Sequence, residues 1–177
     1  PIIDRFPERI DSVEVNARVD WSRKHCQALR LHYAKAPFWN PLGPALLATL
    51  ERPWTRVRDL NVAVLELLCG HLGIVTRRVL ASSLPARDEP TDRLIDICGA
   101  VGGTEYLSGE SGPQYMAIER FAQAGIAVSV QDYRHPEYPQ QYTPFVSHLS
   151  VIDLLFNCGP DSLTVLRSGR SWKPLIS

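Results

Sequence analysis

The stretch from Asp59 to Val130 changes its hydrophobic period several times, and this limits the fold more than any other feature. Leu60, Val64, Leu67, Leu68 and His71 recur at helical spacing over residues 59–72, and Gly73 supplies a C-terminal stop. Residues 74–81 read as a strand and 82–90 as a loop. Residues 91–98 read as a helix that turns Leu94, Ile95 and Cys98 inward. Residues 104–107 form a short strand, Pro113 opens a helix ending near Gly125, and 126–130 form another strand. Strands alternating with helices of this length imply right-handed crossovers. The expected fold class is therefore α/β: a small, mostly parallel sheet with helices on both faces.

The flanks add elements to this middle. Val13, Val15, Ala17 and Val19 alternate with polar residues and predict a half-buried strand over 12–19. Asp20 is placed to cap a helix over 21–35. Pro37, Pro41 and Pro44 punctuate the next stretch, and a short helix is expected over 44–50. Residues 133–145 form a loop rich in Pro, Tyr and Gln. A helix over 149–157 stops at Gly159-Pro160, and a last short helix and a polar tail finish the chain.

The 177 residues suffice for one domain with a substantial core, and one domain over 1–177 is expected. Lys plus Arg and Asp plus Glu number 19 each, so the formal net charge is zero. That removes the usual electrostatic argument for a nucleic-acid partner. No apolar run is long enough to span a bilayer, and no secretory pattern opens the chain. Cys26, Cys69, Cys98 and Cys158 lie far apart in apolar segments, with no zinc spacing. Buried free thiols and a cytoplasmic location are the expectation.

Three constellations carry candidate chemistry. Leu107-Ser108-Gly109-Glu110-Ser111-Gly112 leaves a strand and enters a helix. Its glycines allow close backbone approach, so Ser108, Gly109 and Gly112 are candidates for holding an anion. An ordinary strand-to-helix turn capped by Ser111 explains the same residues. His135-Pro136-Glu137-Tyr138-Pro139-Gln140 is stiffened by proline and rich in polar side chains. His135 suits acid–base work, with Tyr138 and Gln140 lining the reacting end. A solvated connection with packed tyrosines is the alternative. Ser150, Asp153 and Asn157 share one face of an apolar helix. They either face a ligand or form a capping box and a C-terminal cap. His25 follows Trp21 by one helical turn; it either serves as a further acid–base candidate or satisfies a structural hydrogen bond, and Asn61 is a candidate for orienting substrate. The five histidines are scattered and no pair has ligand spacing, so no metal site is expected.

Taken in order, several segments resemble the WbqC-like family of bacterial proteins. They are Trp21-Ser22-Arg23-Lys24-His25, Tyr33-Ala34-Lys35-Ala36-Pro37-Phe38, Asp59-Leu60-Asn61 and Leu72-Gly73-Ile74. They continue with Ala81-Ser82-Ser83, Thr104-Glu105-Tyr106-Leu107-Ser108-Gly109, His135-Pro136-Glu137-Tyr138-Pro139-Gln140 and the run Leu149 to Gly159. Family members carry an N-terminal His-Gln-Pro-Xaa-Tyr-Leu-Pro motif; the resemblance implies that this chain is an N-terminally truncated member. It also implies an accessory enzyme of surface-polysaccharide (O-antigen) or related specialised biosynthesis. The working hypothesis is a transferase acting on an activated, anionic small molecule, with His25, His135 and Asp153 catalytic. Ser108, Gly109, Gly112, Asn61, Tyr138, Gln140, Ser150 and Asn157 would bind substrate. The alternative is a non-catalytic ligand-binding or scaffold protein in the same kind of pathway. Neither the cofactor nor the oligomeric state follows from the sequence.

Overall fold

The structure, a computed structural model, describes residues 9–176. The chain forms two compact units: Pro1–Thr76 with Pro136–Leu166, and Arg77–His135 with Arg167–Ser177. Each unit is thus built from two separate stretches that alternate along the chain.

The first unit is helical. Helix α1 spans Trp21–Tyr33, and the Asp20 side chain accepts a hydrogen bond from the Arg23 amide. That satisfies one of the donors a helix start leaves open. Helix α2 spans Leu42–Leu50 and α3 spans Val57–His71. Gly73, at φ +68°, turns the chain off α3 as the sequence predicts. Helices α4 (Pro90–Ala100) and α5 (Ile118–Gln123) belong to the second unit, and α6, back in the first, spans Val151–Cys158. Its Phe156 is fully buried, with ring centroids 5.1 Å from Tyr33 and 5.0 Å from Trp39. Leu42, Leu46, Leu72 and Leu155 complete this core.

The second unit carries the sheet. Its elements are α4 (Pro90–Ala100), β1 (Glu105–Ser108), α5 (Ile118–Gln123), β2 (Ala127–Gln131) and β3 (Trp172–Ile176). The helix α7 (Ser162–Ser168) leads towards β3. The strand order is β1-β2-β3. One sheet face presents Tyr106, Val128 and Ile176, aligned across the three strands. These pack with Cys98 and Leu94 of α4 and Phe121 of α5 in one cluster.

The fold is α/β, but four expectations need correction. The sheet is mixed rather than mostly parallel, because β2 pairs in parallel with β1 and antiparallel with β3. Strand β3 lies in what the sequence suggests is a polar tail; in Trp172-Lys173-Pro174-Leu175-Ile176 the alternation is short, and Pro174 is tolerated because β3 is an edge. Both helices of this unit join the cluster on a single sheet face, while Leu107, on the opposite face, is 47% exposed. The strand expected over 12–19 is shortened to bridge positions at Glu14 and Val15, with Glu14 paired to Arg56 among the described residues. Asn16 ends it: its side chain accepts from the Arg18 amide, bending the chain.

Two further departures are local. Among the described residues no strand runs over 74–81; a 3₁₀ turn at Ala81–Ser83 closes that stretch instead. Strand-forming residues become a strand only where a partner meets their backbone. The helix expected from Pro113 is split into a 3₁₀ turn, Gly112–Gln114, and α5. The Ala117 amide is drawn to the Thr91 hydroxyl at 3.2 Å, which interrupts helical bonding. The four cysteines are free and buried. Burial pushes the thiols of Cys26, Cys98 and Cys158 upward, so they remain protonated and unreactive at neutral pH. No helix among the described residues is long and apolar enough to cross a membrane.

Candidate functional site

Helix α1 is fastened to α2 by the Ser22 hydroxyl, which donates to the Leu50 carbonyl at 2.7 Å. Short antiparallel bonding joins Val15 to Thr55 and Val57 to Val13. This local frame shapes a cleft of about 490 Å³. Its lining combines Val15, Trp21 and His25 with Leu50, Val57, Leu60, Asn61, Val64, Leu65 and Leu68. Two predicted site residues, His25 and Asn61, therefore meet at one cavity.

The orientation of His25 is fixed. Its Nδ1 lies 2.7 Å from the Trp21 carbonyl oxygen, one helical turn back. A carbonyl can only accept, so Nδ1 carries the hydrogen and donates. In the neutral ring the lone pair then sits on Nε2. The Trp21 indole meets the imidazole edge-on, with centroids 5.7 Å apart and planes at 79°. A backbone bond and an aromatic wall thus fix the ring, with Nδ1 committed to the Trp21 carbonyl.

A second cluster lies on α6 and the loop before it. The Ser150 hydroxyl caps α6 by accepting from the Ile152 amide, and Asp153 sits in its first turn, 5% exposed. Asp153 Oδ2 accepts from the Tyr138 hydroxyl and from Gln140 Nε2, both at 2.9 Å. Gln140 also clasps Val146, donating to its carbonyl at 2.9 Å and accepting from its amide at 2.8 Å. The buried carboxylate thus fastens the proline-rich loop to α6. Asn157 donates to the Asp153 backbone carbonyl at 2.8 Å, a bond within the helix. The polar face of α6 therefore has structural partners for each of its three residues.

Burial, and then the neighbouring Asp153 carboxylate, push the Tyr33 phenol up to about 12. Tyr138 is likewise raised to about 12, chiefly by burial, with its bond to Asp153 adding to the rise and Gln140 opposing it. Both folded values lie above the ordinary 10.0. Between the two values the unfolded chain has lost protons that the folded chain keeps, so stability falls with rising pH. The contribution is intact below the ordinary phenol range and disappears as pH climbs through 12. Burial also raises the phenols of Tyr106 and Tyr133, so phenolate absorbance should show several late-titrating tyrosines, and Tyr138→Phe should remove one of the latest. A titration in which every tyrosine ionises in the ordinary range would contradict this arrangement.

The remaining predicted residues belong to the second unit. Ser108 is 2% exposed, and its hydroxyl donates to the Gly109 carbonyl at 2.9 Å. The Gly112 amide donates to the same carbonyl at 3.0 Å. A Cβ on Gly112 would stand 1.8 Å from Ser108 Oγ, so the glycine is needed for close packing. The loop's own packing thus accounts for Ser108, Gly109 and Gly112. The His135 ring lies edge-on to Tyr133 at 6.2 Å. Among the described residues no group of three His, Cys, Asp or Glu side chains is arranged to hold a metal ion.

The apolar part of the cleft is what sequence reasoning missed. Leu60, Val64 and Leu68 have the spacing of any core-facing helix ridge. Only the position of α3 beside His25 distinguishes a cavity wall from an interior.

The fold and site together define an α/β protein with an oriented histidine at an apolar cleft. The chain belongs to the WbqC-like protein family, whose model matches residues 1–165. A Mycobacterium tuberculosis H37Rv protein, Rv1507c, described as uncharacterized, is 32% identical over 165 residues. The match covers 92% of this chain and 71% of that protein. No solved structure matches the chain.

Proposed function

We propose that the chain is a cytoplasmic biosynthetic enzyme of the transferase type, working on an activated small molecule in surface-polysaccharide (O-antigen) or related specialised metabolism. The pathway follows from what the family resemblance implies. The chemistry rests on one observation: His25 Nδ1 is bonded to the Trp21 carbonyl at 2.7 Å while the residue lines the cleft with Asn61.

In this reading Nε2 takes the proton of an acceptor hydroxyl or amine as the acceptor's new bond to the transferred group forms. The donor's bond to its leaving group breaks, and the leaving group departs with that electron pair. The proton then passes from the imidazolium to solvent or leaving group. Asn61 orients the substrate. General acid–base help of this kind is worth about 10²–10⁴-fold in rate.

His25→Gln keeps a polar planar side chain but has no titrating ring. Incubated with a panel of activated donors and hydroxyl or amine acceptors, the wild-type chain should form a product detectable by mass spectrometry. The variant should lose most of that product while melting at the same temperature. Full product formation by His25→Gln would remove His25 from the chemistry.

A binding or scaffold role has one observation in its favour. Ser150, Asp153 and Asn157 all have structural partners within their own unit. Stabilisation by a pathway protein, with none by any small molecule, would select that reading.

A further inference from the structure

The chemistry of the cleft walls narrows the ligand. Leu50, Leu60, Val64 and Leu68 supply aliphatic surface, and His25 and Asn61 supply polar side chains. A sugar or nucleotide carries polar groups over most of its surface. Against these walls it would give up hydrogen bonds to water and regain few. An alkyl chain gives up none and gains by leaving water.

The shape agrees with the composition. Leu60, Val64 and Leu68 are spaced by four residues along α3 and form one ridge. The helical rise makes that ridge about 12 Å long, suited to an extended chain of medium length. The cavity of about 490 Å³ falls within the range of small-molecule sites. At the polar positions, Asn61 has an amide N–H to donate to a carbonyl oxygen. The Nε2 lone pair of His25 is able to accept from an attacking hydroxyl or amine.

The geometry points to an aliphatic acyl group as the ligand of this cleft, its alkyl part along Leu60, Val64 and Leu68 and its carbonyl at Asn61 and His25. This rests on the cleft being the substrate site, and it narrows the transferred group from any activated group to an acyl group.

The test is calorimetric titration of the full chain with the decanoyl thioester of N-acetylcysteamine, with UDP-glucose as the polar comparator. The expected result is saturable binding of the thioester and none of UDP-glucose. Val64→Trp, which fills the cleft, should abolish binding. Leu65→Asp provides a second variant that is safe for folding, because Leu65 is already 51% exposed; its charge in the cleft should also abolish binding. Thioester binding that survives in either variant, once folded, overturns the proposal. So does UDP-glucose binding that Leu65→Asp removes, but that outcome leaves the transferase reading standing. Self-association disrupted by Leu65→Asp, with no thioester binding, would make a second copy the occupant and overturn the acyl assignment. Loss of product in His25→Gln without thioester binding would retain the enzyme and reject the ligand class.

Discussion

Asp153→Ala is expected to destabilise the first unit by about 2–4 kcal/mol, most of it from buried donors that lose the Asp153 carboxylate as acceptor. The Tyr138 hydroxyl and Gln140 Nε2 both donate to Asp153 Oδ2 at 2.9 Å. Tyr138 is 9% exposed, so water cannot readily replace the lost acceptor. A buried donor stranded in this way costs about 1–3 kcal/mol. Gln140 suffers less, because its amide keeps the Val146 carbonyl at 2.9 Å. Losing a carboxylate from the first turn of α6 removes roughly a further 0.3–1 kcal/mol of favourable interaction with the helix dipole. Asn157 is not part of the sum, since its partner is the Asp153 backbone carbonyl, which alanine retains. Denaturant titration measures the loss. The mechanism makes a sharper demand: in a Tyr138→Phe background the alanine substitution should do less harm, because the stranded hydroxyl is gone. Wild-type stability in Asp153→Ala, or full additivity of the two changes, would show that the carboxylate does not anchor the loop.

This dual use of Asp153 shows what the sequence can and cannot convey. The spacing of Ser150, Asp153 and Asn157 favours a capping box while leaving a ligand-facing stripe open. In the structure Ser150 caps, but Asp153 turns its carboxylate to a loop 13 and 15 residues earlier in the chain. No local pattern encodes that choice. Elements settled by their own residues are legible: Asp20 starts α1 and Gly73 ends α3. Strands fare worse because their bonds go to distant chain segments. The alternation in 12–19 is stronger than that in β3, yet only β3 is paired along its length. The candidate site follows the same rule. The His25–Trp21 bond is an i to i−4 contact and readable from a helix. The meeting of α1 with Asn61 on α3 depends on how both pack against α2 and is not.

Gly159→Ala is expected to cost about 2–4 kcal/mol, through two effects that can be separated. The first is conformational. Gly159 has φ +50° and ψ −122°, a region that side-chain-bearing residues rarely enter, and it turns the chain out of α6. The second is steric. A Cβ at this position would lie 2.3 Å from Cδ1 of Phe38 and 2.4 Å from its Cγ. The Phe38 backbone cannot simply retreat, because its amide donates to the Phe156 carbonyl at 3.0 Å. Phe38 is 38% exposed, however, and its ring has room to swing towards solvent. Phe38→Ala should therefore relieve the steric part of the Gly159→Ala penalty and leave the conformational part untouched. Thermal unfolding of the two single variants and the double variant measures each share. An undiminished penalty in the double variant would assign the whole effect to backbone conformation. No penalty in Gly159→Ala alone would mean that the chain leaves α6 by a different turn, one that does not bring Phe38 against residue 159.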